Sequence, residues 1–447
     1  MAVTRGSARQ WENEMVLSIL TAAITCAATI ASVLFFPRVK LGKLSLDLYP
    51  FIALVGAVIT VATGCISPAA LWDALTASTS INPIKILLLF LSMTILSVFL
   101  DEVGFFRYLA NKALRLAGKS QTRIFTVVYL TVSVLTVFTS NDVIVLTFTP
   151  FLCYFAKNAH IDPKPYLIAE FVAANTMSMT LVIGNPTNIY VATAFDISFP
   201  DYFLMMALPT LAAAAVAYGV LYLLFHRSLH APVLATPEEP HIEDKPSLIL
   251  GLSLLLVATI SLIVGPYVGV PMWLVAVSAV GALFVAVLIL ALIRRRAPSA
   301  LGRTMKRAPW QLVPFVLAMF TLILALTTQG VTDKIAELIG TRLTVWKYGF
   351  LSFLSANAIN NIPMTVLYSP IVATLPEGVR LGAAYATVIG SNIGAYLTPI
   401  GALAGIMWIS MLKRHDVKMG YFDFVKYGAA VSLPALAAAL AVLLLVL

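Results

Sequence analysis

Runs of roughly 20 apolar residues recur from one end of this chain to the other, and each is long enough to cross a hydrocarbon core ~30 Å thick. Ten such runs are read at residues 14–36, 48–66, 83–100, 165–195, 203–225, 247–264, 272–293, 311–328, 380–410 and 421–447. Within a bilayer the backbone must satisfy its own hydrogen bonds, so the runs are predicted as helices of an all-α membrane protein. Composition agrees: 11% of residues are charged, where a water-facing surface needs about 25%. The formal charge of +9 does not point to nucleic acid, because the basic residues occupy short loops between runs. Cys26, Cys65 and Cys153 stand singly, without the spacing of a disulfide framework or a metal site. His160, His226, His230, His241 and His415 all fall in loops or at span ends. No nucleophile–base set or cofactor site is read at membrane depth, which argues against an enzyme.

Two further apolar stretches, 124–156 and 347–373, are too long for one helix and carry a polar knot in the middle. Each is predicted as a re-entrant hairpin, which enters and leaves on one face with its tip held against protein. With residues 14–36 read as a retained first helix, placing the N-terminus outside puts 22 of the 29 Lys and Arg on cytoplasmic segments, as the positive-inside rule requires. The C-terminus then also lies outside. Each half has three spans, a hairpin, a long span with a polar break and a closing span. Five crossings per half start the second half on the opposite face, so the halves (1–225 and 247–447) are predicted as inverted repeats. The sequences echo each other: Asn141 and Pro150 in the first hairpin recur 220 residues later as Asn361 and Pro370. The segment 226–246, rich in His, Pro and acidic residues, is read as a cytoplasmic linker. The segment 101–123 reads as an interfacial amphipathic helix, answered by 329–346 on the outer side. Asp101 and Glu102 are read as interfacial caps or partners of Arg107.

Four polar clusters interrupt the apolar runs: Thr139 to Asp142, Gly184 to Asn188, Asn357 to Pro363, and Thr398 to Gly401. Gly, Pro and Asn at matched places in two repeats predict unwound backbone, whose half-helix ends and Asn amides surround a central ligand. The candidate binding residues are Ser140, Asn141, Asn185, Thr187, Asn188, Asn360, Asn361, Asn392, Thr398 and Gly401. Asp142, at the first hairpin tip, is a candidate ion-coupling carboxylate, because a charge at that depth is costly. Capping the second hairpin arm is its alternative role, compatible with coupling. Glu170, near the cytoplasmic start of its span and within reach of the interface, is a second coupling candidate.

At these residues the chain resembles the arsenite/antimonite efflux permeases (arsenical pump membrane proteins) of the ion transporter superfamily. The likeness runs through LDEVGFF (100–106), SNDVIVLTFTP (140–150), RAPWQLV (307–313), NNIPMTVL (360–367) and TVIGSNIGAYLTPIGALAGIMW (387–408). It implies hairpins entering from opposite faces, an elevator-like moving domain and a homodimer. Where those permeases carry Asp, this chain has Asn175 and Asn392, and its GNPTN run is similar to signatures of sibling carboxylate and sodium transporters. The expected activity is therefore proton-coupled efflux of arsenite or antimonite across the inner membrane. A sodium/proton antiporter and an organic-anion symporter are the alternatives. The partners expected are a small solute, a coupling ion and the lipid bilayer. The sequence leaves open whether a soluble ATPase docks on the cytoplasmic face.

Overall fold

The computed structural model describes residues 5–36, 38–41, 44–77, 82–230, 242 and 244–447. The described residues are almost entirely helical, in two series of ten helices. The first series is α1 (Arg5–Phe35), α2 (Tyr49–Ala62), α3 (Pro68–Thr76), α4 (Pro83–Glu102), α5 (Phe105–Ala117), α6 (Gln121–Val137), α7 (Asn141–Ala159), α8 (Lys164–Met177), α9 (Pro186–Ala194) and α10 (Phe199–Phe225). The second is α11 (Lys245–Val264), α12 (Met272–Arg294), α13 (Ser299–Arg307), α14 (Leu312–Thr328), α15 (Val331–Ile339), α16 (Thr344–Ile359), α17 (Asn361–Ala373), α18 (Glu377–Gly394), α19 (Leu403–Arg414) and α20 (Tyr421–Val446).

The residues at the helix ends explain the boundaries. Asn82 caps α4 by accepting from the amides of Ile84 and Lys85, with Pro83 in the first turn. Ser198 caps α10 and Asp244 caps α11, again with proline in the first turn. Such caps satisfy N–H groups that the helix leaves without partners. The amphipathic helices α5 and α15 each begin after a left-handed glycine, Gly104 (φ 86°) and Gly330 (φ 69°). There an L side chain would be strained.

Packing is reciprocal between the series. Helix α2 packs on α14 and α12 on α4; α9 meets α17 while α19 meets α7; and α8 and α18 lie against the closing helices α10 and α20, which pack on each other. Seven helical stretches among the described residues are long and apolar enough to cross a membrane: α1, α4, α10, α11, α12, α13 running into α14, and α20. Two expected spans, 165–195 and 380–410, are each split into two helices by the polar breaks. The expected span at 48–66 is helical only over the 14 residues of α2, about 21 Å at 1.5 Å per residue, and α3 follows it. A short antiparallel hairpin, β1 (Arg38–Leu41) with β2 (Leu44–Asp47), precedes α2; nothing in the apolar pattern announced it. Most of the expected linker, 231–241 and 243, lies outside the described residues.

Asp101 and Glu102 close α4, and their partners are not on α5. Arg303 donates to Glu102 at 2.6 Å, and Arg307 reaches Glu102 at 2.6 Å and Asp101 at 2.7 Å. The expected partner Arg107 is replaced by two residues of α13, because α13 packs directly on the end of α4. This ion network joins the two series.

Candidate functional site

Both polar knots of the hairpins are turns between helices. The first lies at Phe138–Ser140, between α6 and α7; the second is Asn360, between α16 and α17. Each tip abuts the break of the next helix in its own series. Asn141 donates through Nδ2 to Asn175 Oδ1 at 3.0 Å, and the Asn361 amide donates to Gly401 O at 3.0 Å.

Between α8 and α9 the backbone leaves the α-helix, passes through two 3-10 turns and restarts at Asn185, whose side chain accepts from the Thr187 amide. The Asn185 and Asn188 side chains then turn toward α18. Asn392 is the hub. Its Oδ1 accepts from Ser178 Oγ and Asn185 Nδ2, both at 2.9 Å, and its Nδ2 donates to Asn188 Oδ1 at 2.8 Å. Asn188 in turn donates to Ser178 O at 2.7 Å and Leu181 O at 3.1 Å. Thr187 Oγ1 donates to Asn185 Oδ1 at 3.0 Å. These side chains are all buried, and their bonds satisfy the backbone carbonyls that the break exposes. Asn175 and Asn392 occupy matched places, each two residues before the end of its helix.

The second break is held differently. Asn357 accepts from the Thr398 amide at 3.1 Å and from Thr398 Oγ1 at 2.6 Å, and donates to Gly394 O at 3.0 Å. Asn360 adopts φ 72° and is fixed by its bonds to Ile400 O (3.2 Å) and the Ile362 amide (3.3 Å). Gly401 is required by space: a Cβ there would strike Gly394 O and Asn357 Oδ1. Thr176 Oγ1 reaches the Tyr396 hydroxyl at 3.2 Å, so the two breaks are also linked to each other.

The residues proposed from sequence thus separate by their bonding. Asn185, Thr187, Asn188 and Asn392 form one net; Asn360, Thr398 and Gly401 belong to the second break. Four positions keep free polar atoms. Ser140 Oγ and Asn141 Oδ1 are buried without a hydrogen-bond partner. Asp142, in the first turn of α7 and half-buried, has no hydrogen-bond partner among the described residues. The Asn361 carboxamide likewise makes no side-chain hydrogen bond among them. Buried polar groups without partners are uncommon; here two of them are consecutive at one hairpin tip, with the unpartnered Asp142 next in the chain. A narrow apolar crevice, lined by Leu87 and Phe90 of α4, Thr187 and Tyr190 of α9 and Ile362 of α17, reaches the first break and the second tip.

Glu170 lies in the second turn of α8. It is fully buried, accepting from Thr149 Oγ1 at 3.2 and 3.3 Å and from Trp408 Nε1 at 3.2 Å. Asn175, Ser178 and Asn357 were not singled out as ligands. The available signal was positional, since all three lie within four residues of a break or tip in otherwise apolar helix.

Membrane-crossing helices around a buried polar centre made of two interrupted helices and two hairpin tips define a secondary transporter, not an enzyme. The chain belongs to the citrate transporter family, CitMHS, whose match covers residues 48–386. It is 28% identical over 413 residues to an arsenical pump membrane protein of Escherichia coli, covering 88% of this chain and 92% of that one. The arsenical pump membrane protein of Yersinia enterocolitica is also 28% identical, over 375 residues, with 80% and 85% covered. Among solved structures, the YdaH transporter of Alcanivorax borkumensis superposes with a TM-score of 0.55, covering 96% of this chain and 97% of that chain. At 15% identity it shares the fold alone.

Proposed function

We propose that this protein is a proton-coupled efflux permease for arsenite or antimonite. The observation that carries the reading is the first hairpin tip, where Ser140, Asn141 and Asp142 keep free polar atoms side by side. Residues 124–156, 165–225, 348–379 and 381–412, which build the tips and breaks, contain no Lys or Arg. Hydrated arsenite at neutral pH is a small uncharged triol-like molecule. Hydroxyl and amide partners with one carboxyl suit such a solute and a proton, whereas an anion would gain no cationic side chain. Similarity to arsenical pumps over most of both chains supports the same reading.

The two series are inverted in the inner (plasma) membrane, with hairpins α6–α7 and α16–α17 re-entrant from opposite faces and both termini outside. The units are 1–225 and 247–447, joined by the cytoplasmic linker 226–246, and the assembly is a homodimer. Positive-inside charge, five crossings per half and reciprocal helix packing support this arrangement.

A second reading has its own observation. Helices α7, α9, α17 and α19 all begin at the tips and breaks, and helix N-termini attract anions without any Lys or Arg. A carboxylate such as the one in the family's name fits that field. The test is uptake into proteoliposomes under an imposed proton gradient, with arsenite, citrate and sodium compared. Proton-driven arsenite accumulation is expected. Accumulation of citrate with none of arsenite overturns the first reading in favour of the second.

A further inference from the structure

Glu170 is a buried carboxyl that the hairpin-tip site does not use. It sits on α8, five residues before Asn175, about 7.5 Å along the helix axis. Its two oxygens are engaged from two other elements: Thr149 Oγ1 of α7 is 3.3 Å from Oε1 and 3.2 Å from Oε2, and Trp408 Nε1 of α19 is 3.2 Å from Oε2. The Trp408 ring packs tilted on Phe171 and edge-on to Phe424, at 5.1 and 5.6 Å between centroids, which seals that side. The carboxyl has no exposure and no ion pair among the described residues.

Every element packed around α8 is without a cation at this position. The only other titratable group in electrostatic reach, among the described residues, is the Cys153 thiol of α7. The remaining charged groups of α8 and the neighbouring helices lie near helix ends: Arg123 on α6, Asp142 and Lys157 on α7, Lys164 on α8, Asp201 on α10, Glu377 and Arg380 on α18, Lys413 and Arg414 on α19, Asp423 and Lys426 on α20. A carboxylate without a counter-charge is strongly disfavoured in such surroundings, and the group neutralises instead. The contacts accommodate a neutral acid: Oε2 accepts from Trp408 Nε1, and the Thr149 hydroxyl, which donates to the carboxyl at 3.2 and 3.3 Å, is equally placed to accept from a protonated Oε1.

We infer that Glu170 is a second proton-binding site of the transport cycle, loaded in this conformation and emptied when α8 parts from α7 or α19. Emptying breaks the Oε1–H bond and passes the proton to water. It leaves a carboxylate that accepts from whichever of the Trp408 N–H and the Thr149 O–H stays beside α8. The three helices carry the first tip, the first break and the second break, so Glu170 reads the relative position of the parts that hold the solute. This inference rests on the proton-coupled reading above.

Two measurements test it. In infrared spectra of the purified protein at neutral pH, a protonated-carboxyl band present in wild type is expected to vanish in Glu170→Gln. Its absence from wild type, or its persistence in the variant, overturns the inference without any solute being involved. In voltage-clamped proteoliposomes with arsenite as the probe, removing one coupled proton lowers the steady accumulation ratio about tenfold per unit of pH gradient. Glu170→Gln keeps both hydrogen bonds, since Gln accepts from Trp408 and donates to Thr149. It is expected to fold normally, retain solute exchange and show that loss. Trp408→Phe removes one bond but no proton site, and should change rates while leaving the ratio intact. Equal ratios in wild type and Glu170→Gln overturn the inference, as does a loss in Trp408→Phe that matches the one in Glu170→Gln. No arsenite accumulation in wild type, with the infrared band present, counts against the substrate reading instead.

Discussion

Replacing Asn392 by Ala removes the hub that ties the second series to the first break. Four bonds go: from Ser178 Oγ and Asn185 Nδ2, and to Asn188 Oδ1 and Val388 O. Ser178 Oγ keeps Asn175 O at 2.8 Å, and Val388 O lies within helix α18. Two groups are left stranded. Asn185 Nδ2 has no other acceptor among the described residues, and Asn188 Oδ1 retains only Thr187 Oγ1 at 3.5 Å. Each stranded buried group costs about 1–3 kcal/mol, so Asn392→Ala should lose about 2–6 kcal/mol of stability. The assay is reversible unfolding in mixed micelles, beside Ser133→Ala. Ser133 Oγ is buried on α6 and already unpartnered, so its removal should be neutral or slightly stabilising. If Asn392→Ala unfolds with the same midpoint as Ser133→Ala, the net does not hold the break together and the reasoning fails. Asn392→Asp sharpens the point. A carboxylate there would face Asn188 Oδ1 and Val388 O, two acceptors, so that variant should be destabilised at neutral pH and recover on acidification.

Further outcomes are expected elsewhere. Asp142→Asn should abolish gradient-driven transport while the protein remains folded; a folded variant that still concentrates solute with wild-type pH dependence removes Asp142 from coupling. Ser140→Ala and Asn141→Ala should each weaken solute-induced thermal stabilisation by about tenfold in affinity, the worth of one hydrogen bond to a bound hydroxyl, whereas Thr321→Ala on α14 should leave it unchanged. For the Asp244 carboxyl, burial acts to raise the pKa, but the bonds from Ser247 and Arg294 outweigh it and the group is held below its ordinary value. A depressed folded pKa gives stability that is complete at neutral pH and lost as pH falls through the carboxylate range. Asp244→Ala should therefore cost about 0.5–2 kcal/mol at neutral pH and progressively less below about pH 4, read from unfolding at several pH values. Cysteines placed at positions 300 and 416 should label only from the cytoplasm and one at 198 only from outside; labelling of all three from one side contradicts the inverted arrangement.

The sequence by itself determined the class and the places where helices stop. Twenty apolar residues in a row, or a Pro beside Gly and Asn within such a run, are local properties, and lipid leaves the backbone few answers to them. The two tips, the two breaks and the repeat of Asn141 as Asn361 were legible for that reason, and so was the place of Asp142 at the first tip. The length of α2, the β1–β2 hairpin and the short helix α13 were not, because nothing in the apolar pattern distinguishes them from loop. Only the tertiary structure decided which polar residues are spent on each other and which are free. Ser178 meets Asn392 across 214 residues of chain, and Trp408 meets Glu170 across 238. A side chain's hydrogen-bond partner depends on which helices are packed side by side. That is set by the reciprocal docking of the two series, and no local run of sequence contains it.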